Sequence, residues 1–382
     1  MNRSESGTAG GGGTGAIDRG RLLTTLVELC ELRTPSREEG PVREYVRERL
    51  GALGLEPEED GRGNLYVRTP ESGNGLEPIF LCAHMDTVPV PPDQTVTVVR
   101  ENGRIRSDGT TILGGDDKQG VAALLEMLEL AVRAPDLARP IDGIFTVEEE
   151  LGSLGSRDVD PGRVRARQGY NLDGESHPGS VIHAAPRKGR FTMTVHGRSS
   201  HAALDPAAGI NAIVVAAEIV AELPLGRPSS TATSNVGTIS GGRQTNVVPD
   251  EVSFTGEIRS PGDEEFEALR ERFEEIARRV AGRWGASVSA EWEETYRAYR
   301  VDREEPSARW FIEACEGRGL SPGFLSSKGG GDANQLNNLG LRCVVFGLGM
   351  HNIHSIDEYV VEDEYIQAVE LLSDIVVPSA NR

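Results

Sequence analysis

The stretch "IDGIFTVEEELGSLGS" (residues 141–156) begins as a buried strand, with Ile141, Ile144, Phe145 and Val147 and little polarity between them. It then delivers three consecutive glutamates, Glu148, Glu149 and Glu150, and runs into a turn rich in glycine and serine. Like charges at the end of a buried strand repel one another and need a reason to be there. Three readings are open: a solvated strand end, a calcium site, or part of a catalytic centre. The spacing of an EF-hand calcium loop is absent, which makes the second a poor fit.

The neighbours of this strand set the fold class. Apolar strands are predicted at "NLYVRT" (64–69), "PIFLCAH" (78–84) and "GYNLDG" (169–174). Amphipathic helices are predicted at "RLLTTLVELCEL" (21–32) and "PVREYVRERLGAL" (41–53), and "VAALLEMLELAVRA" (121–134) is apolar nearly all round, as a buried helix is. Apolar strands separated by helices read as an α/β sheet covered on both faces. After about residue 187 the texture changes. "RFTMTVHG" (190–197) alternates, the helix "GINAIVVAAEIVAEL" (209–223) follows, then the strands "SNVGTIS" (234–240) and "EVSFTGEIRS" (251–260). A charged helix over 263–283 and an alternating stretch over 286–301 complete the order of an α+β ferredoxin-like domain. The α/β texture returns with a helix near 307–317, a strand over 342–349 and a helix over 362–376. The expected organisation is a disordered leader over 1–17, an α/β domain over 18–187 and 300–382, and an inserted domain over 188–299.

Composition narrows the function. Of 382 residues 37% are hydrophobic and 26% charged, ordinary for a chain with a real core. No run has the apolar length needed to cross a bilayer, and the Gly/Ser/Thr-rich start is not a secretory signal. The net charge of −20 argues against a nucleic-acid partner. Three lysines stand against 37 arginines. Cys30, Cys82, Cys315 and Cys343 are scattered without CxxC spacing and read as buried thiols in a reducing cytoplasm.

Ligands of an α/β sheet bind at strand ends, and five such positions carry polar groups. "LCAHMDTVP" presents His84 and Asp86 on one side of the chain; alone it is a histidine satisfied by a nearby acid. "LGGDDKQG" sets Asp116 and Asp117 before a helix, where one acid is explained as an N-cap and two less easily. The glutamate run is third, Asp173 in "YNLDGES" fourth, and His351 and His354 in "GMHNIHSIDEYV" fifth. Taken together, imidazole and carboxylate groups suit zinc and its first-row neighbours. One carboxylate can bridge two metals and leave another as a base, the arrangement expected of a two-metal hydrolase.

In this order "HMDTVP", "GGDDKQG", "EEELGS", "LDGES" and "HNIHSIDEYV" resemble the co-catalytic zinc peptidases that include peptidase T, carboxypeptidase G and succinyl-diaminopimelate desuccinylase. "TTILGGDDKQG" and "KGGGDANQLNNLG" (328–340) are most similar to the peptidase T branch. The resemblance implies a catalytic domain with a mixed sheet flanked by helices, plus an inserted lid and dimerisation domain. It implies two zinc ions per subunit, with cobalt or manganese as alternatives. His84, Asp116 and Asp173 would hold one, and Asp116, Glu150 and His354 the other. Asp86 would hydrogen-bond His84, and Glu149 would be the general base for a metal-bridging water. The Asp116–Asp117 peptide would be cis. In "GRSSHAALDPAAGINAI" (197–213) His201 would polarise an oxyanion, and Asn246, Arg259 and the Gly329–Gly331 loop, Gly330 at its centre, would meet substrate. The family's usual residue before the glutamate pair is Asp; Glu148 departs from that pattern, and its role is structural. His183 and His196 read as ordinary strand residues.

The function this implies is hydrolysis of an amide bond in a small peptide, as a tripeptide aminopeptidase does, by a homodimer formed through the inserted domain. A carboxypeptidase or N-acyl-amino-acid deacylase on the same scaffold is the near alternative, and a non-catalytic metal-binding protein the remote one. A serine hydrolase is remote too, since no GxSxG elbow is present.

Overall fold

The structure, a computed structural model, describes residues 16–378. The leader assigned to residues 1–17 lies outside the described residues except for Ala16 and Ile17. The chain divides into two compact units: one holds the chain up to His183, Val301–Ser326 and everything from Gly331, the other Ala184–Arg300 and Ser327–Gly330. Among the described residues no helix is long and apolar enough to cross a membrane.

The first unit is built on a mixed sheet. Its strands run in the order Glu58–Glu59, Leu65–Arg68, Ile141–Thr146, Ile79–His84, Gln168–Gly174, Arg342–Gly347 and Ser180–Ala185. The middle of the sheet is parallel: Ile79–His84 pairs with Ile141–Thr146 on one side and Gln168–Gly174 on the other, and Arg342–Gly347 continues beside Gln168–Gly174. Leu65–Arg68 and Ser180–Ala185 run antiparallel to their neighbours. The parallel strands Ile79–His84 and Ile141–Thr146 are buried at every position, as strands covered on both faces must be. Helix Gly115–Arg133 packs on Ile79–His84 and Gln168–Gly174, and helix Pro306–Gly317 on Gln168–Gly174 and Arg342–Gly347. A small antiparallel sheet of Met350–His351, Tyr359–Val361, Arg104–Ser107 and Val98–Glu101, in that order, joins residues far apart in the chain.

Strand ends place the polar residues. His84 is the last residue of its strand, and Asp173 the last but one of Gln168–Gly174. The glutamate run starts two residues beyond the end of Ile141–Thr146, where Glu148 takes a left-handed φ of 53°. The turn it opens is closed by Gly155, whose N–H donates to the Val147 carbonyl. A Cβ on Gly155 would collide with that carbonyl and come within 2.7 Å of Asn64 Oδ1. Only glycine lets the chain fold back this closely.

The second unit is an antiparallel sheet in the order Thr233–Gly241, Glu251–Ser260, Arg187–His196, Ser287–Tyr296. Numbered by appearance, that is second, third, first, fourth, the ferredoxin-like arrangement. Helices Ala212–Glu222 and Asp263–Arg283 pack on it. Phe191, Met193, Val195, Val215, Ile219, Val252, Phe254, Phe273 and Val280 form its core.

Candidate active site

Two turns bring the strand ends to chemistry. The first is "LGGDDKQG". The Asp116–Asp117 peptide is cis, and neither residue has helical φ/ψ, so the regular helix begins after them. Asp117 is fully buried and spends its carboxylate on backbone: Oδ2 accepts the His84 N–H at 3.1 Å and Oδ1 the Gly120 N–H at 3.0 Å. Glu358 ties the loop from the other side. Its Oε2 accepts the Gly114 N–H at 2.7 Å and its Oε1 the Asp116 N–H at 3.0 Å.

These anchors free the Asp116 carboxylate to face two imidazoles. Its Oδ1 lies 3.1 Å from His84 Nε2 and its Oδ2 3.1 Å from His354 Nε2. His354 Nε2 is also 2.9 Å from Glu150 Oε1, and His84 Nε2 is 3.9 Å from Asp173 Oδ1. His84, Asp116 and Glu150 each offer a ligand atom within 4.8 Å of the others, and so do His84, Asp117 and Asp173. Of the adjacent aspartates, Asp116 has its oxygens on imidazoles and Asp117 has them on N–H groups. The donor set is imidazole nitrogen and carboxylate oxygen without thiolate, which fits first-row divalent cations.

The second turn carries the glutamates. Asp86, fully buried, accepts the Glu149 N–H at 3.0 Å through Oδ1 and the Glu150 N–H at 3.2 Å through Oδ2, which also takes the Ser36 hydroxyl at 2.7 Å. Asp86 therefore holds the backbone of the run in place. Its contact with His84 is mainly through its own carbonyl oxygen, 3.0 Å from Nδ1, with the carboxylate at 3.4 Å. A carbonyl only accepts, so Nδ1 carries a proton, and Nε2 is the nitrogen left facing Asp116. Glu149 Oε1 accepts the Ser153 hydroxyl at 3.1 Å.

The charge balance of the cluster is distinctive. Burial lowers the His84 pKa, but Asp116, Asp86 and Asp173 outweigh it and hold the ring well above its ordinary value. Hydrogen bonds to Asp116 and Glu150 push His354 up to about 10. Burial raises Asp173 well above the carboxylate range and Glu149 up to about 8, with neighbouring acids adding to both. Both trends express one demand for positive charge among crowded carboxylates.

His84, Asp86, Asp116, Glu149, Glu150, Asp173 and His354 are thus gathered in the first unit. His351 stands apart from them, on Glu364 at 2.7 Å and stacked on Tyr359. The remaining candidates are in the second unit. His201 is exposed, and its Nδ1 accepts the N–H groups of Ala203 and Leu204, each at 3.2 Å. Asn246 is exposed. Arg259 Nε donates to Glu257 at 2.8 Å and its Nη1 to the Lys328 carbonyl at 3.4 Å, beside Gly329 and Gly330. Glu148 lies between Arg37 at 3.6 Å and Arg62 at 3.8 Å. Sequence reasoning missed Glu358, Asp117 as a backbone anchor and Ser153. The signal for Glu358 was an acid only four residues beyond His354 and just before the apolar strand Tyr359–Val361.

Residues 188–285 match the family model of the M20-type peptidase dimerisation domain, and residues 64–209 that of peptidase family M28. The curated protein YqjE of Bacillus subtilis (strain 168), itself uncharacterised, is 31% identical over 372 residues, 95% of this chain and 100% of its own length. The crystal structure of aminopeptidase PepT from Bacillus cereus has 31% identity and a TM-score of 0.86, covering 94% of this chain and 98% of that one. A tripeptidase structure from Staphylococcus aureus has 29% identity and a TM-score of 0.89, covering 96% and 100%. The M28 model stops at residue 209, whereas the peptidase T-type structures follow the chain almost from end to end and the M20 domain fills the second unit. On these grounds the chain belongs to the M20 family of metal-dependent peptidases, on its peptidase T-like branch.

Proposed function

We propose that this peptidase is a di-zinc tripeptide aminopeptidase with Glu149 as its general base. The observation that carries the two-metal reading is Asp116, whose two oxygens each face a different imidazole at 3.1 Å. A bridging carboxylate needs that division. His84, Asp116 and Asp173 would hold one ion, and Asp116, Glu150 and His354 the other. When bound, two zinc ions would supply Lewis acidity at the scissile carbonyl and positive charge for an attacking water.

The chain's own groups do the rest. Glu149 accepts a proton from the attacking water and returns it to the leaving amine. Burial pushes its pKa up to about 8, which makes the carboxylate a stronger acceptor of the water proton, and cations alongside would draw that value down toward the deprotonated form that must accept it. His201 supports an oxyanion role: with Nδ1 accepting two N–H groups, the neutral ring carries its proton on Nε2, ready to donate. Arg259, Asn246 and the loop around Gly330 would meet the peptide. A homodimer through the second unit accords with its match to a dimerisation domain. A cytoplasmic location accords with four cysteines that are buried and free.

The test is a panel of free and N-acylated di- and tripeptides after chelation and reconstitution with zinc, manganese or cobalt. Free tripeptides should turn over best, with two metal equivalents. Preference for an N-acylated substrate would move the assignment to a deacylase. Glu149→Ala should leave only a small residual rate and keep both metals; parental turnover would remove Glu149 as the base.

A further inference from the structure

Ser153 stands at the N-cap position of the short helix Leu154–Arg157. A serine there ordinarily gives its oxygen to the N–H of the second or third helical residue. Ser153 makes no such bond. Its Oγ lies instead 3.1 Å from Glu149 Oε1, where the hydroxyl donates and the carboxylate accepts. The residue is 1% exposed and sits at φ 57°, ψ 43°, a left-handed conformation in which glycine is at ease and serine is not. A cap would explain the serine and a turn alone would favour glycine, so the use of this side chain lies in the bond to Glu149.

The surroundings hold the hydroxyl in place. The Ser153 N–H donates to the Glu149 carbonyl at 2.7 Å, closing the turn. Ser156 Oγ donates at 2.6 Å to Asp332 Oδ1 and lies 3.3 Å from the Ser153 carbonyl, and the other Asp332 oxygen takes the Thr146 hydroxyl. On a further side of Glu149 Oε1 stands Gly331, where a Cβ would come within 2.9 Å of that oxygen. Oε1 is thus held by one hydroxyl and bordered by a residue without a side chain.

We propose that Ser153 is a positioning residue for the reaction: it fixes the Glu149 carboxylate through Oε1 and so makes Oε2 the oxygen that exchanges the proton. This rests on the assignment of Glu149 as general base. Ser153 itself need not touch substrate or metal.

The test uses the full-length, zinc-loaded enzyme and a tripeptide substrate, with Ser153→Gly, Ser153→Ala, Glu149→Ala and Ser153→Gly combined with Glu149→Ala. Glycine suits the left-handed backbone, so Ser153→Gly separates the hydroxyl from the turn, and Ser153→Ala repeats the deletion with a side chain present. In both, kcat should fall about 10–100-fold, as for other groups that orient a catalytic residue, with KM and zinc content unchanged. Ser153→Gly should melt no lower than the parent. In the Glu149→Ala background the same deletion should leave the residual rate unchanged, because a residue acting through Glu149 has nothing left to act on. Parental kcat in Ser153→Gly would overturn the proposal, as would a fall that follows zinc loss or persists undiminished without the Glu149 carboxylate. Parental turnover by Glu149→Ala alone would remove the base assignment and this proposal with it, a failure told apart because that variant leaves Ser153 in place.

Discussion

Asp86 reads in the sequence as a companion of His84, and in the structure most of its bonds serve another element. Both its oxygens hold N–H groups of the glutamate run, and Ser36 adds a third bond. Asp86→Ala should leave two part-buried N–H groups without acceptors, costing about 1 kcal/mol each, measurable by urea denaturation. It should also lower zinc affinity or activity by about 10–100-fold, measurable by competitive chelation, since Glu150 loses its anchor. Unchanged zinc affinity would show that the run keeps its place by itself. Glu148 carries the opposite expectation. Its left-handed φ suits glycine, and its arginines stand beyond hydrogen-bond distance. Glu148→Gly should change stability by no more than about 1 kcal/mol, strain relief offsetting weak ion pairs, and should keep its turnover. A loss as deep as that of Glu149→Ala would make Glu148 part of the chemistry. The gathered acids and His84 were legible because each lies at or just beyond the end of a predicted strand or opens a helix, whereas His354, in the turn after the last predicted strand, was legible through its motif. Glu358 was not, because the Gly114 N–H it accepts lies 244 residues away in the chain.

At the scale of elements, the helix Gly115–Arg133 shows where propensity and site conflict. Gly120 lies in its first regular turn, and replacing a helical glycine by alanine ordinarily stabilises by about 1 kcal/mol. Here a Cβ would collide with the Asp117 carboxylate. That carboxylate cannot swing aside without releasing the backbone N–H groups of His84 and Gly120. Gly120→Ala should therefore destabilise the protein and weaken zinc binding; a higher Tm with intact zinc affinity would mean that Asp117 is free to move. The sequence placed this helix from 121, after the loop, and the non-helical Asp116 and Asp117 explain why that boundary was readable. The small sheet was not read. Its strands are two to four residues long, too short for alternation to register, and Arg104–Ser107 finds its partner at Tyr359–Val361. The ferredoxin-like order was readable because its strands are nine or ten residues long and the first of them, Arg187–His196, alternates in burial.

For the molecule as a whole, the fold of the first unit concentrates acid at one buried point, and its stability should depend on what neutralises that point. In the chelated protein the balance falls to protons. Glu149 rises from 4.5 to about 8 through burial, and His354 from 6.5 to about 10 through Asp116 and Glu150. A group whose folded pKa lies above its unfolded value stabilises most below the unfolded value and loses that contribution as pH rises through the folded one. Both shifts therefore have the same sign: the chelated protein should lose stability steadily from about pH 4.5 toward pH 8 and beyond, as Glu149 and then His354 give up protons that the folded state had held. Zinc held at the folded cluster, as proposed, would reverse this, because it would compete with those protons. At a thousand times its dissociation constant it should add about 4 kcal/mol, more evident at pH 8 than at pH 5. Calorimetry across that range, with chelator and with saturating zinc, gives the comparison. Two curves that fall in parallel with pH would mean that the proton-binding cluster and the zinc site are different places in the molecule.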